Sequence, residues 1–254
     1  MVVAYAQHGY LDQARILFED LPEKEHQVSG ELIRAYGAAG DLVGAEALFD
    51  SLQHRDERSW NSMVFAYARC GHAGDSITFL AAMVLEGFQP SDEALTAIFR
   101  ACSTSAEGFS RGKLVYRELC RDLLSSAPIQ AEALGMFSAQ GSLAETCSVF
   151  SEMSARSTAA WNIIIARYAR ERLQTSMIFH LMNREGFLPD DSTFLSVLPR
   201  KSPEECGKIL ALMVESFNIE PRLEHYACLA DSLRYAGDAK DAQEVLRRYQ
   251  VRQP

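Results

Sequence analysis

Apolar and polar positions along this chain fall into short stripes, and the stripes recur. "AYAQHGYLDQARILFEDL", "AYGAAGDLVGAEALFDSL" and "AYARCGHAGDSITFLAAM" are three versions of one pattern: a tyrosine-bearing apolar stretch, a glycine, then a second apolar stretch. Gly9, Gly40 and Gly71 are spaced by 31 residues. Gly141 follows Gly71 by 70, twice 35, and Gly237 follows Gly141 by 96, the sum of units of 31, 33 and 32. A period in this range predicts a stack of small helical units, each contacting its neighbours, rather than a globule around one pocket. The function then resides on a long repeated surface.

Setting the turn glycine at the fifteenth place predicts repeats at 26–56, 57–91, 92–126, 127–157, 158–190, 191–222 and 223–254, with 1–25 the back part of an earlier one. Each reads as two helices. In 57–91 the first runs through "SWNSMVFAYARC", with Trp60, Met63, Val64 and Tyr67 at helical spacing. Gly71 permits the turn. The second runs through "DSITFLAAMVLE", with Ile77, Leu80, Ala81 and Val84 on the expected stripe, and Gly87 and Pro90 end it. Trp161 and Tyr168 repeat the Trp60/Tyr67 spacing. Such stripes are core. Repeat 158–190 lacks its turn glycine ("ARYARERLQTS"), and "LPRKSPEECG" puts Pro199 and Pro203 at the helix junction of 191–222. Distorted packing is expected at both. The whole is expected to be all-α, a right-handed α-α superhelix forming one solenoid over 1–254.

Charge changes the picture of partners. With 25 basic and 34 acidic residues the net charge is −9, which argues against coating nucleic acid by bulk charge but leaves room for a local basic strip. By itself it leans toward a protein partner. No apolar run approaches the ~18 residues of a membrane span, and no signal segment opens the chain. The six cysteines, Cys70, Cys102, Cys120, Cys147, Cys206 and Cys228, form no C-x-x-C pair and read as small buried reduced thiols. His225 and Cys228 stand one turn apart without a second pair, so a structural role is expected there and no metal.

Several segments carry a resemblance. "SWNSMVFAYARCGHAGDSITFLAAMVLEGFQPS" and "AAWNIIIARYARERLQTSMIFHLMNREGFLPD" look like standard repeats of the pentatricopeptide repeat family; "DEALTAIFRACS" with "GFSRGKLVYREL" looks like its long variant, and "ALGMFSAQGSLAETCSVFSEMSARS" like its short one. The mixture resembles the plant-type subclass of long, short and standard repeats. "FNIEPRLEHYACLADSLRYAGDAKDAQEVL" resembles the junction that closes the repeat tract in members acting in organellar RNA editing. The resemblance covers essentially the whole chain.

The resemblance implies single-stranded RNA as partner, in the mitochondrion or chloroplast, read one base per repeat by two or three side chains. In the family the fifth and last residues of a repeat read the base edge: Asn with Asp favours U, and Asn with Ser favours C or U. Carried over, Asn61/Ser91 and Asn162/Asp190 fit that pattern, implying C or U, two loosely read nucleotides, then U. Thr96/Ser126 is a further reading pair, whereas Gly30/Asp56, Ala131/Ser157 and Leu195/Arg222 put a residue without a polar side chain at the fifth place, as Ala227 does in the final repeat. The second place, usually apolar in the family, holds Gln27, Arg58, Glu93, Pro128, Ala159, Ser192 and Glu224. Arg58 is a stacking candidate; Glu93 and Glu224 are expected to repel phosphate.

Editing members often carry a zinc deaminase, which needs an H-x-E glutamate and a C-x-x-C pair. Neither occurs here. "GFSRGKL", Gly108 to Leu114, departs from a phosphate loop in spacing and in Leu114, and Gly112 and Lys113 are expected inside a second helix. The implied protein is an RNA-binding adapter without catalysis, cofactor or metal, working beside a separate editing deaminase or another RNA-processing protein. Two alternatives stay open: a helical scaffold for protein partners, and a partial or decayed fragment of a longer editing factor.

Overall fold

A computed structural model describes residues 1–20, 26–119, 126–199 and 201–252, the side chains of 26, 27, 119 and 248–252 excepted. Sixteen helices and no strand occur among them. The chain forms two compact bodies, Met1–Glu145 and Thr146–Pro254.

The N-terminal body holds α1 (Val2–Gln7), α2 (Leu11–Glu19), α3 (His26–Ala39), α4 (Leu42–Ser51), α5 (Glu57–Arg69), α6 (Ala73–Leu85), α7 (Asp92–Cys102), α8 (Ala106–Leu119) and α9 (Ala127–Gln140). Helices α1, α3, α5 and α7 each pack on the even helix after them and on the next odd helix, the nearest-neighbour stacking of an α-α solenoid. After α10 (Leu143–Glu152), the C-terminal body holds α11 (Thr158–Arg170), α12 (Thr175–Arg184), α13 (Asp191–Val197), α14 (Pro203–Phe217), α15 (Leu223–Ala236) and α16 (Ala239–Arg252). There α11 packs on α12 and α13, and α15 on α13, α14 and α16.

The tyrosine–glycine pattern has a local cause. At the end of α5 the His72 N–H returns to the Tyr67 carbonyl at 3.0 Å, with Gly71 between them at φ 83°. This left-handed residue satisfies two orphan carbonyls and aims the chain back along the helix it has left. The Tyr5, Tyr36 and Tyr168 carbonyls receive the same bond, each at 3.0 Å. Arg172 occupies the glycine position of the last, at φ 59°. The missing glycine therefore leaves the turn intact and transfers its strain to an arginine. Gly141 differs from expectation. Its φ is −81° and ψ 174°, an extended residue after which Ser142 opens α10, its N–H donating to Glu145 Oε2 at 2.9 Å. A Cβ at Gly141 would stand 2.7 Å from the Phe137 carbonyl oxygen, so close approach and not left-handed backbone is what glycine serves there.

Aromatic cores recur in the two bodies. Trp60 meets Phe49 edge-on at 4.8 Å, and the Arg55 guanidinium covers Phe49 at 4.6 Å. Trp161, Phe150 and Arg156 repeat the arrangement at 4.7 and 4.9 Å. The stripe of α6 departs from the sequence reading: Ala73, Ser76, Leu80 and Met83 are buried, whereas Ala81 and Val84 are exposed. Residues 79–85 are all apolar, so periodicity alone cannot pick the inward face. In α13 the junction proline takes effect. The helix has 7 residues against 13 in α11, and Pro199 follows it.

Candidate nucleic-acid interface

Places two, five and nine of a first helix lie at i, i+3 and i+7, on one face. In α5 they are Arg58, Asn61 and Phe65; in α7, Glu93, Thr96 and Arg100; in α11, Ala159, Asn162 and Ala166.

The structure brings both asparagine pairs together. Asn61 Oδ1 accepts the Ser91 N–H at 2.7 Å, and its Nδ2 donates to the Glu57 carbonyl at 2.9 Å and the Gln89 carbonyl at 3.4 Å. Asn162 Nδ2 donates to Asp190 Oδ1 at 2.9 Å, and its Oδ1 accepts from Thr193 Oγ1 at 2.6 Å. Burial pushes the Asp190 carboxyl up, but the Thr193 N–H and the Asn162 amide outweigh it and hold the group below its ordinary range. Asp190 is thus an anion whose acceptor edge is fixed. An amide donates and accepts at once; Asn162 uses one N–H on Asp190 and keeps the other.

Thr96 and Ser126 are not joined in this way. Thr96 Oγ1 donates back to the Glu93 carbonyl at 2.9 Å, and Ser126 Oγ is buried without a hydrogen-bond partner. Ser126 stands before Pro128 in the first turn of α9, so the proline removes one amide that a capping hydroxyl could accept from.

The residues carried over as last places share a second position in the fold. Asp56, Ser91, Ser126, Ser157, Asp190 and Arg222 are the N-caps of α5, α7, α9, α11, α13 and α15. The side chains of Asp56, Ser91, Ser157 and Asp190 accept a backbone N–H of the first turn. Serine and aspartate are favoured there by capping alone, worth ~1 kcal/mol.

Charge on this face is arranged in pairs. Arg34 grips Glu93 with both guanidinium nitrogens, at 2.6 and 3.0 Å, and lies 4.4 Å above the Phe65 ring. The Arg34 bond holds the Glu93 carboxyl below its usual range. Arg100 pairs with Glu132. Glu93, expected to repel phosphate, thus has a cationic partner that sequence reading passed over. Arg58 is exposed and in no salt bridge among the described residues. Gln27 lies outside the described side chains, and Glu224 is exposed on α15.

The other candidates are structural. Gly112 and Lys113 lie within α8, where Lys113 pairs with Glu145 and a Cβ at Gly112 would stand 2.5 Å from Met136 Sδ. His225 is fully buried; its Nδ1 accepts the Arg222 N–H at 3.0 Å and its Nε2 faces the Asp191 carbonyl at 3.3 Å. Among the described residues no cluster of three or more His, Cys, Asp or Glu could hold a metal. Cys102 and Cys206 are buried, whereas Cys70, Cys147 and Cys228 are only half-buried, short of the full burial expected; Cys120 lies outside the described residues. Burial pushes the Cys102 thiol up to about 11. No described helix is long and apolar enough to cross a membrane.

Fold and face together define a helical-repeat protein with polar groups spaced one repeat apart. A family model for the PPR repeat matches residues 1–26, 32–56 and 58–88. Among relatives from Arabidopsis thaliana, pentatricopeptide repeat-containing protein At4g32430, mitochondrial, is 30% identical over 87% of this chain and 30% of its own length. Pentatricopeptide repeat-containing protein At4g25270, chloroplastic, is 29% identical over 86% of this chain and 42% of its own. The chain thus spans less than half the length of these relatives. The crystal structure of the pentatricopeptide repeat protein PPR10 from maize superposes with a TM-score of 0.69 at 20% identity, covering 96% of this chain and 38% of that one. PPR10 in complex with an 18-nt psaJ RNA element superposes at 0.66 with 15% identity, covering 100% and 38%. These matches support the pentatricopeptide repeat family for this chain, and the fold is that of its solenoids.

Proposed function

We propose that this chain is an RNA-binding adapter, with the first-helix face docking single-stranded RNA while a separate protein modifies or processes the transcript. The observation that carries the reading is the Asn162–Asp190–Thr193 network, which fixes one amide and one carboxylate side by side on that face. In the family this pair favours U, and Asn61/Ser91 favours C or U. Support comes also from the RNA bound to PPR10 and from relatives named mitochondrial and chloroplastic. We place the chain in the subclass with long, short and standard repeats, and its work in organellar C-to-U editing with a deaminase supplied by another protein. The repeats are those cut at 26, 57, 92, 127, 158, 191 and 223. Arg58 stacks on a base or steadies phosphate without reading sequence.

Filter binding with single-stranded RNA against duplex DNA of the same sequence tests this. Preferential retention of the RNA, with affinity falling as salt rises, is expected. Equal retention of both, or of neither, overturns the reading and favours the protein scaffold, to which the net charge of −9 leans.

A further inference from the structure

The short α13 leaves a hole. It is packed between α11 and α15, yet it ends at Val197 while those neighbours run 13 and 14 residues. The six residues it lacks relative to α11 correspond to about 9 Å of helix at 1.5 Å per residue. A cavity of about 760 Å³ occupies the space, bounded by the turn after α11, the link into α14 and the last turns of α15. This lies within the roughly 300–1,000 Å³ of small-molecule sites.

Its lining is polar at chosen points. Thr175 lines the cavity and is 3% exposed, with its hydroxyl oxygen buried behind the wall. Asp231 presents a carboxylate whose other contact is Arg234, at 2.6 Å. Arg172, held in its left-handed turn, and Lys201 line the same cavity, and neither forms a salt bridge among the described residues. The link carrying Lys201 is pinned by Ser232 Oγ, which donates to the Lys201 carbonyl at 2.6 Å. Tyr235 stands at the mouth, 95% exposed.

We propose that this cavity binds a guanine nucleotide. A carboxylate accepts hydrogen bonds and donates none, so it selects a base with two adjacent donors. On its Watson–Crick edge guanine alone has them, the ring N1–H and the exocyclic amine; adenine and cytosine set an acceptor beside their amine, and uracil flanks its single N–H with two carbonyls. The two cations take the phosphate, and the Tyr235 ring covers the base by stacking. The nucleotide is either free or one residue of a bound RNA, since both carry the same base and phosphate.

Calorimetric titration of the chain with GMP, AMP, CMP and UMP tests the site, together with two single-stranded RNAs that differ only in one guanosine replaced by adenosine. GMP is expected to bind at least tenfold more tightly than the other three. Asp231→Asn is expected to erase that preference and Tyr235→Ala to weaken GMP severalfold. Both residues are exposed, and an unchanged melting temperature confirms folding of the variants. GMP selectivity without a difference between the RNAs assigns the site to free nucleotide. A preference for the guanosine RNA that Asp231→Asn removes assigns it to RNA. Absence of both, or selectivity unmoved by Asp231→Asn, overturns the proposal. Binding of the guanosine-free RNA reports on the RNA-binding reading by itself.

Discussion

The Asn162 amide donates to the Asp190 carboxylate at 2.9 Å, joining the fifth place of one repeat to the N-cap of α13, the first helix of the next repeat. The proposed base reading and the folding share these atoms, so a test must separate them. Asp190→Ser does so, because serine caps as well as aspartate. The variant should melt within a few degrees of the wild type while its preference widens from U to C or U, scored by binding to RNAs varied at one position. Asn162→Ala should instead cost ~1 kcal/mol of binding to the U-containing RNA, the net worth of one hydrogen bond. A U preference retained in both variants would remove this pair from the interface.

The Arg34–Glu93 pair gives a test in the N-terminal body. Arg34→Ala exposes an unpaired carboxylate on the proposed RNA face and deletes a cation. RNA affinity should fall and its salt dependence flatten. Glu93→Gln should do the reverse and tighten binding. Equal affinities across the three proteins, measured by fluorescence anisotropy at two salt concentrations, would place the RNA elsewhere.

Arg172 carries the left-handed turn that glycine carries after α1, α3 and α5. Arg172→Gly should stabilise the C-terminal body by about 1 kcal/mol through relief of that conformation, partly offset by the freer unfolded chain. Urea denaturation measures it. The same substitution removes a cavity cation, so GMP binding should weaken while stability rises.

Glu145 gives a pH dependence. Lys113, then the Ser142 N–H, hold its carboxyl down at about 2. A depressed acid adds stability that is present above its unfolded value of 4.5 and is lost as pH falls toward 2. Thermal melts between pH 5 and 2.5 should therefore fall less steeply for Glu145→Gln than for the wild type. Parallel curves would mean that the Lys113 contact contributes nothing in solution.

Trp161 is fully buried against Phe150. Trp161→Ala should cost about 3–5 kcal/mol, the range for deleting a large core aromatic. Trp161→Phe should cost less. Near-ultraviolet circular dichroism and denaturant midpoints distinguish the two.

Much of the fold was legible because its signals are local. Tyr67 and Gly71 mark a helix end with their own backbone bonds, and Pro199 ends α13 where the sequence put a junction. The face of α6 was not legible, since apolar residues run through 79–85 and only the neighbouring helices choose among them. Gly141 misled because glycine serves both left-handed backbone and close approach. At the candidate interface, Asn61 and Asn162 followed from the family resemblance, as fifth places of repeats cut by the turn glycines. Arg34 could not be matched to Glu93, which is 59 residues away and meets it only after α3, α5 and α7 stack. The cavity by α13 was equally hidden: a short helix is readable, but the space it leaves depends on two longer neighbours.

If the proposed reading holds, the N-caps constrain how such a chain can change its RNA target. Asp56, Ser91, Ser157 and Asp190 each accept a first-turn N–H, so a drift there to an aliphatic residue is penalised by ~1 kcal/mol before any RNA is present. Gly30, Asn61, Thr96, Ala131, Asn162 and Leu195 lie five residues into their helices and cap nothing, and these are six positions with five residue types. Retargeting by mutation should therefore run mainly through the fifth place, with the last place switching between serine and aspartate as a two-setting vernier.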